Sequence, residues 1–404
     1  MGQRLNIVIM GILGRTPLAG VSWQVLQYLE GFRRLGYDCH YIEDTGDWAF
    51  NPELKTFTYD ATHYPKTCEY AVNYLAQVLA MHGLSDRWAY RSRIDGRLFG
   101  LSESQVSTVF QEADVLVNLT GSTRLFEEHL RVPVRIYLET DPVVRQIEIA
   151  TGDRDAIKLL RAHTHWFTYG ENLGAPDCGV PATEFDYRPT RPPIVVDWWV
   201  EGNGRSATFE YGYQSVYTTV TNWTQTGKDL KWNGETYRWS KHVEFLKFIH
   251  LPRSTPQRIE LALLCKTDDD VRDIQLLQSH GWLVRDALAI SRDICTYRDY
   301  ILHSRGEFTV AKDQNIRLRS GWFSDRSACY LAAGRPVVTQ DTAFDKVVPT
   351  GAGLFSFRTM EDIISAFEAI ECDYSRHARA AQELASEYFN AEKVLGRLMK
   401  DCGF

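Results

Sequence analysis

The chain has 404 residues, of which 44% are hydrophobic and 24% charged, a balance typical of folded globular proteins. This length predicts two or three domains with enough apolar material for separate cores, so no metal or disulfide is needed to hold them. The 45 basic and 52 acidic residues give a net charge of −7, which disfavours bulk binding to nucleic acid. No stretch approaches about 18 apolar residues, so the sequence predicts no membrane span. Eight cysteines without a CxxC pair indicate reduced thiols, and we expect a cytoplasmic protein.

The first forty residues have a clear pattern of secondary-structure elements. Residues 6–11 (NIVIMG) are typical of a parallel strand buried on both faces. A glycine-rich loop, 11–20, is followed by apolar residues at helical spacing up to Gly36, and an extended pattern resumes at 39–43. A strand, loop, helix and strand in this order predict a βαβ unit and therefore a parallel sheet.

The same pattern continues along the chain in two series. A segment rich in proline and glycine near 190–215 separates them and predicts a linker. We therefore predict an α/β protein with two doubly wound, Rossmann-like domains that face each other across a cleft. The predicted divisions are 1–195 for an acceptor-side domain, 196–380 for a donor-binding domain, and 381–404 for a helix that returns to the first domain. The pairing of residues 45–105 stays open. Predicted strands cover 114–119, 134–138, 165–169, 218–223, 258–265, 282–286, 306–311, 336–340 and 353–357, and a single long helix covers about 374–400.

The most informative stretch is SGWFSDRSACYLAAGRPVVTQDTAF at 320–344. A predicted strand leads through Lys312 and a polar loop to a helix that begins near Ser324 or Asp325. Free backbone N–H groups at such a helix start, together with small polar residues, suit a diphosphate, although a plain helix cap is the alternative interpretation. The residues that would line this phosphate site are Ser320, Gly321, Ser324 and Ser327, with Arg317, Arg319 and Arg326 supplying positive charge.

Within this stretch, LAAGRPVVTQDT at 331–342 resembles the donor half of GT-B glycosyltransferases of family 4 or family 1. Their comparable segment reads E-G-F-x5-E-A-M-A-x-G-x-P-V-V. The resemblance implies a nucleotide-diphosphate sugar (UDP-, GDP- or TDP-linked) as co-substrate, no tightly bound cofactor and no metal. The two family glutamates fall near Gly321 and Cys329, so this chain lacks both. The resemblance implies that Asp325 takes over a contact to a sugar or ribose hydroxyl, which makes it a candidate catalytic residue.

The resemblance also implies donor contacts outside the helix start. A polar segment after the strand at 336–340 would read hydroxyls of the donor sugar, with a polar turn as the alternative. The amino-terminal loop and a loop after the linker would approach the phosphates, although the glycines of the first loop also suit a plain turn. These implied donor contacts are Gln340, Asp341 and Thr342, then Gly14 and Arg15, and finally Arg238 and Lys241.

Candidate acceptor-side residues follow strands of the first domain. Asp141 comes directly after the strand at 134–138, where a carboxylate can act as general base or bind an acceptor hydroxyl. His163, His165 and Glu171 lie near the strand at 165–169, and a histidine there has a hydrogen-bonded structural role as its alternative. Asp141 and the two histidines could be imagined as a metal site, but no further ligand has suitable spacing, so we predict none.

These observations predict a metal-independent glycosyltransferase that moves a sugar to an unidentified acceptor hydroxyl. The acceptor is a small molecule, a glycan or a modified DNA base, the last disfavoured by the net charge. An epimerase or phosphorylase of the same fold is an alternative, since fold does not determine function. A non-catalytic nucleotide-sugar-binding protein is another, favoured by the two missing glutamates. The oligomeric state stays open.

Overall fold

The computed structural model describes residues 4–57, 60, 62–200, 215–225, 227–265 and 267–404. Most of the predicted linker, 201–214, lies outside the described residues. The described chain forms two parallel sheets, which confirms the predicted α/β class with two doubly wound sheets.

The first sheet has eight strands because buried apolar runs recur through residues 6–189. Its order is β10-β9-β8-β7-β1-β2-β5-β6, and all neighbours are parallel except β6, which runs antiparallel to β5; β3 and β4 form a separate antiparallel pair. The strands are β1 (Asn6–Met10), β2 (Asp38–Thr45), β3 (Phe50–Asn51), β4 (Thr56–Phe57), β5 (Trp88–Ser92), β6 (Leu98–Gly100), β7 (Val115–Leu119), β8 (Val134–Glu139), β9 (His165–Thr168) and β10 (Tyr187–Pro189).

Helices cover both faces of this sheet, as a parallel sheet requires. The helix that follows β1 begins one turn before the expected apolar pattern and buries Val25, Leu26 and Leu29 in the core. The helices of this half are α1 (Ala19–Arg34), α2 (Tyr64–Met81), α3 (Glu103–Glu112), α4 (Glu127–Leu130), α5 (Val144–Ala150) and α6 (Arg154–Arg161).

The second sheet has six parallel strands in the order β15-β14-β11-β16-β17-β18, and an antiparallel hairpin of β12 and β13 follows β11. The sequence pattern did not predict this hairpin, because its strands are three residues each and largely polar. The strands are β11 (Val216–Asn222), β12 (Leu230–Trp232), β13 (Glu235–Tyr237), β14 (Arg258–Leu264), β15 (Leu283–Asp286), β16 (Gly306–Thr309), β17 (Val337–Gln340) and β18 (Leu354–Phe357).

The helices of the second half alternate with these strands. They are α7 (His242–Lys247), α8 (Leu251–Ser254), α9 (Asp268–Ser279), α10 (Ala287–Ser291), α11 (Ile294–Leu302), α12 (Asp313–Arg317), α13 (Asp325–Ala332), α14 (Met360–Cys372), α15 (Tyr374–Leu384) and α16 (Ala391–Asp401).

The prediction of one long helix over 374–400 is wrong, because the chain breaks at Asn390. The Ile194 segment pairs with the backbone there: Ile194 N–H donates to the Phe389 carbonyl at 2.6 Å, and Ala391 N–H donates to the Ile194 carbonyl at 2.9 Å. Asn390 is extended and its side chain caps α16 by accepting from Lys393 N–H. The last helix then packs on α1, where Gly31 permits close approach of Leu395.

No helix in the described ranges combines the length and hydrophobicity that a bilayer span requires. All eight cysteines are described, and all are free thiols.

Candidate functional site

The carboxyl ends of both parallel sheets open into one cleft of about 920 Å³ between the two halves of the chain. β8 leads into Thr140 and Asp141 on one wall, and the segment after β16 carries Lys312 on the other. Ligands of open α/β sheets bind outside the carboxyl ends of the strands, and this cleft is therefore the candidate site.

An ion pair joins the two walls. The Lys312 ammonium lies 2.6 Å from Asp141 Oδ1. Nearby, the Trp322 indole N–H donates to the Thr140 carbonyl at 2.9 Å, so the walls are in direct contact at this point. Burial lowers the pKa of Lys312, and the Asp141 carboxylate opposes that shift.

A second lysine on the same wall lacks such a counter-charge. Lys241, just before α7, is 8% exposed, and its ammonium lies 5.5 Å from the centroid of the Trp322 ring. Among the described residues it has no carboxylate within ion-pair distance. Burial holds the pKa of Lys241 well below its usual value, and the cations of Arg326 and Lys312 lower it further, whereas the more distant charges of Glu307 and Asp141 oppose the shift. A buried amine without an anionic partner is a natural receptor for an anion.

An indole carries two further cation contacts beside these lysines. The ammonium of Lys312 lies over the ring of Trp239 at 3.3 Å from its centroid, and that of Lys228 lies over it at 5.0 Å. The Trp239 indole N–H donates to Gln225 Oε1 at 2.6 Å, which fixes the ring. The segment that contains the β12–β13 hairpin therefore supplies one wall of the cationic region.

The amino-terminal end of α13 points into the cleft at Ser324 and Asp325. Ser324 is the N-cap, yet its hydroxyl makes no capping hydrogen bond and is available to a ligand. The Arg326 N–H at the same helix start donates to Asp325 Oδ1 at 2.8 Å. Asp325 Oδ2 accepts from the Gln24 amide of α1 at 3.1 Å across the cleft, and burial raises the pKa of this carboxyl. Cys329 lies one turn further along the same face of α13 and also lines the cleft.

Arg326 lines the cleft but its guanidinium has protein partners. Nε pairs with Glu307 at 2.5 Å, Nη1 donates to the Val220 carbonyl at 2.8 Å, and Nη2 donates to the Thr309 hydroxyl at 3.0 Å. These contacts tie α13 to β11 and β16. The side chain therefore holds the helix start in place and has little capacity left for a phosphate.

The wall formed by the first half of the chain is polar and acidic. Glu139, the last residue of β8, is 2% exposed and reaches the cleft. Its Oε2 accepts from the Thr168 hydroxyl at 2.7 Å and from the Gln146 amide at 2.8 Å, whereas Oε1 has no hydrogen-bond partner among the described residues. Burial raises the pKa of Glu139 to about 7.

Part of the predicted phosphate loop, Ser320 and Gly321, bonds to other segments of the protein. Asn172 N–H donates to the Ser320 carbonyl at 3.1 Å, and Gly321 N–H donates to the Thr342 carbonyl at 2.7 Å. The Ser320 hydroxyl donates to Asn315 Oδ1 at 2.9 Å. This loop, which lies outside the cleft lining, joins the two halves, and its N–H groups are not directed at a ligand.

The polar segment after β17 also lies outside the cleft. Gln340 donates to Glu244 at 2.9 Å, and the Thr342 hydroxyl donates to the Trp322 carbonyl at 2.6 Å. The Asp341 carboxylate is buried between Arg319 and Arg358, at 3.3 and 2.6 Å, in a separate surface depression. From the sequence we expected these side chains to project into the cleft. In the structure they point away from it, because β17 ends in a direction that turns them outward.

Some of the remaining candidate residues line the cleft and others lie outside it. Arg15 lines the cleft and pairs with Asp47 at 2.9 Å, while Gly14 N–H donates to the buried Glu43 carboxylate at 2.8 Å. Arg238 pairs with Asp229 at the surface, at 2.8 Å. Of the candidate residues, those in the lining are Arg15, Asp141, Lys241, Lys312, Ser324, Asp325 and Arg326, and those outside it are Gly14, His163, His165, Glu171, Arg238, Arg319, Ser320, Gly321, Ser327, Gln340, Asp341 and Thr342.

The acceptor-side histidines and Glu171 have structural partners. His163 is buried between the Asn118 amide at 3.1 Å and the Leu159 carbonyl at 2.9 Å, and burial lowers its pKa to about 4. His165 contacts the Thr164 hydroxyl at 2.9 Å. Glu171 forms a largely buried ion pair with Arg191 at 2.5 Å.

One group of potential metal ligands occurs among the described residues, formed by Asp44, Glu128 and His129. Asp44 already pairs with Arg93 at 2.5 Å and with Arg91 at 3.2 Å. Two guanidinium groups already neutralise the charge of this carboxylate, so binding of a metal cation here is unfavourable. None of the three ligands belongs to the cleft lining.

Sequence reasoning missed several lining residues. Glu139 and Trp239 lie within two residues of Asp141 and Lys241, which the sequence did suggest. A carboxylate that directly follows the apolar run 136–138 is costly to bury, and this cost is the signal that could have identified Glu139. The other missed lining residues include Gln24, Thr120, Ser122, Tyr137, Arg145, Glu148 and Cys329.

No protein-family model and no curated protein matches this sequence. Solved structures do match over essentially the whole chain. An α-glucosyltransferase in complex with UDP and a 13-mer DNA containing a central A:G mismatch has 10% identity and a TM-score of 0.58, covering 100% of both chains. HepE from Anabaena, in complex with UDP and glucose, has 13% identity and a TM-score of 0.55, covering 99% of this chain and 100% of that one. Sucrose-phosphate synthase from Thermosynechococcus elongatus has 12% identity and a TM-score of 0.50, covering 99% of both.

At such identities the likeness establishes the fold. The chain has the two-domain GT-B fold, and the resemblance seen at residues 331–342 is confirmed at that level.

Proposed function

We propose that this chain is a glycosyltransferase that takes a sugar from a nucleotide-diphosphate donor and passes it to an acceptor hydroxyl. The observation that carries the proposal is a pair of lysines, the buried Lys241 and the largely buried Lys312, in the same cleft as the Ser324 hydroxyl at the start of α13, which makes no capping hydrogen bond. Two ammonium groups and a hydroxyl at a helix N-terminus form a receptor for a diphosphate. The GT-B fold supports this placement, since two of the similar structures contain UDP.

The lysines would act on the leaving group. In transfer, the bond from the sugar C1 to the β-phosphate oxygen breaks, a bond from C1 to the acceptor oxygen forms, and the hydroxyl proton passes to a base, for which the cleft residue Asp141 is the candidate. Negative charge therefore grows on the diphosphate, where Lys241 and Lys312 can stabilise it. Because these cations provide the compensating charge, we propose that transfer needs no divalent metal, and that chelator leaves activity unchanged.

We propose that Asp325 binds a hydroxyl of the donor. It lies four residues before Cys329, the position of the missing second family glutamate, and therefore on the same face of α13. Gln24 holds one of its oxygens. The apolar residues Leu264, Ala287 and Leu288 also line the cleft and offer surface suited to the flat face of a nucleobase.

The free thiols support a reducing, cytoplasmic location.

A panel of UDP, GDP, TDP and their glucose conjugates tests the proposal in a thermal-shift assay. A true donor held at 100 times its dissociation constant stabilises the protein by about 2.7 kcal/mol. Lys241→Met should abolish this stabilisation, whereas Lys393→Met, which removes an exposed lysine of α16, should not. Hydrolysis of the bound donor then separates an enzyme from a non-catalytic binding protein.

A further inference from the structure

The two walls of the cleft carry opposite charge. The wall from the first half has two basic and three acidic lining residues, and the wall from the second half has four basic and two acidic ones. The same bias holds for the first 195 residues as a whole, which contain 19 basic and 24 acidic residues. The acidic wall consists of Arg15, Glu139, Asp141, Arg145 and Glu148, and the basic wall of Lys228, Asp229, Lys241, Lys312, Asp325 and Arg326.

The charges of the acidic wall are already paired, with one exception. Arg145 lies 2.6 Å from Glu148, and Asp141 is held by Lys312. The exception is Glu139 Oε1, which is buried at the cleft and has no hydrogen-bond partner in the described part of the chain. Buried polar atoms in native proteins are almost always satisfied, so an unsatisfied oxygen at a cleft indicates a ligand.

Neutral hydroxyl groups belong to the same cleft lining as this oxygen. The Thr120 and Ser122 hydroxyls lie 2.9 Å apart, and Tyr137 completes this side of the cleft. Hydroxyls both donate and accept hydrogen bonds, so they match a ligand that does the same. We call Thr120, Ser122, Tyr137, Glu139, Arg145 and Glu148 the acidic subsite.

We propose that the acidic subsite binds a neutral polyhydroxylated acceptor, a carbohydrate or polyol, one of whose hydroxyls donates to Glu139 Oε1. This inference rests on the proposed function, in which the donor diphosphate occupies the basic wall. Because burial raises the pKa of Glu139 to about 7, its carboxyl also supplies a proton to a hydroxyl oxygen part of the time at neutral pH.

A nucleic acid fits this wall poorly. Its binding requires several lysines or arginines that neutralise phosphates, and the two arginines of this wall are paired with Asp47 and Glu148. A phosphorylated acceptor would likewise place its charge beside Glu139, Asp141 and Glu148. The subsite therefore selects against anions by repulsion.

Saturation-transfer NMR on the full chain tests the proposal with glucose, sorbitol, glucose 6-phosphate and a short DNA duplex as probes. Glucose or sorbitol should receive saturation, and the two anionic probes should not. Glu139→Gln should weaken binding of the neutral probe about tenfold, since a hydrogen bond to a charged group is lost. Glu260→Gln is the matched control, because Glu260 is buried away from the cleft, bonds Tyr300, and also has a raised pKa.

Ser122→Ala gives a second, conservative test that leaves the buried carboxyl in place. Binding of glucose or sorbitol that weakens in Glu139→Gln and Ser122→Ala but not in Glu260→Gln supports the subsite. Absence of saturation for both neutral probes, preference for the duplex or the phosphorylated sugar, or unchanged binding in both cleft variants overturns it. Calorimetry with UDP is run on the same proteins. If the unmutated chain does not bind UDP, the proposed donor site is wrong, whatever the result with the sugars.

Discussion

The Lys312 ammonium reaches across the cleft to within 2.6 Å of Asp141, a residue 171 positions earlier in the chain. Each group belongs to a different sheet, and each follows the carboxyl end of a strand. Without donor, the Asp141 carboxylate is therefore paired with the Lys312 ammonium, which the diphosphate would otherwise bind. Under the proposed function, donor binding would compete with the contact between the two walls at Lys312.

Asp141→Asn should tighten UDP binding. The variant removes the anion that competes for Lys312, but Asp141 is 44% exposed, so the gain is limited to about 1 kcal/mol, or roughly fivefold. Titration calorimetry measures the affinity. Unchanged or weaker UDP binding would show that the phosphate does not use Lys312.

UDP binding should become weaker as the pH rises. The pKa of Lys241 is held below its usual value in the free protein, and a bound diphosphate would raise it. The protonated amine binds the anion, so affinity is greatest below the free-state pKa and falls as the pH increases through it. Calorimetry in buffers of different ionisation enthalpy should detect proton uptake on binding.

Lys241→Arg provides the control for this effect, because a guanidinium stays protonated. The variant should bind UDP with a flatter pH profile and without proton uptake from this position. Equal proton uptake in the Arg variant would assign the effect to another group.

Glu139→Gln should stabilise the protein at pH 8 more than at pH 5. The pKa of Glu139 is about 7 in the folded state against about 4.5 when unfolded, so the folded state holds its proton more tightly. This contribution is fully present below pH 4.5 and is lost as the pH rises to 7, by about 3 kcal/mol at most. Melting temperatures across this range test the sign, and a constant offset between variant and parent would contradict it.

Asp325→Asn should weaken UDP-glucose binding about tenfold through loss of a hydrogen bond to a charged acceptor. Comparison of UDP with UDP-glucose shows whether the lost contact is to the ribose or to the sugar. Asp345→Asn, an exposed aspartate outside the cleft, serves as the control. A lower melting temperature with unchanged affinities would restrict Asp325 to a structural role in α13.

Gly321→Ala should destabilise the protein by about 1–3 kcal/mol. Gly321 has φ of +81°, and a Cβ there would lie 2.4 Å from the backbone nitrogen of Asn172 on the other half of the chain. Chemical denaturation measures the loss. Neutral behaviour would mean that the loop is not a tight junction between the halves.

Most strands of the two sheets were predictable because they are short apolar runs with few polar interruptions, as in β1 and β14. β5, β6 and the β12–β13 hairpin were not, since their residues are mixed in polarity and their burial depends on neighbours distant in sequence. The break at Asn390 likewise depends on Ile194, a residue 196 positions earlier.

Within the site, the rule that ligands bind at strand carboxyl ends located Asp141 and Lys312 but not the direction of every side chain. Asp341 follows β17 by one residue and turns to Arg358 instead of the cleft. Successive side chains of a strand point to opposite faces of the sheet, so the residue at which the strand ends determines which way the next side chain points. That residue is known only once the register is known. Glu139 precedes Asp141 by two residues and was hidden within an otherwise apolar strand.

A crystal structure with bound UDP tests the central claim most directly. The account predicts the diphosphate in the cleft, within hydrogen-bond distance of the Lys241 and Lys312 ammonium groups and the Ser324 hydroxyl. A diphosphate bound instead in the surface depression lined by Arg317, Arg319 and Arg358 would contradict the assignment of the donor site.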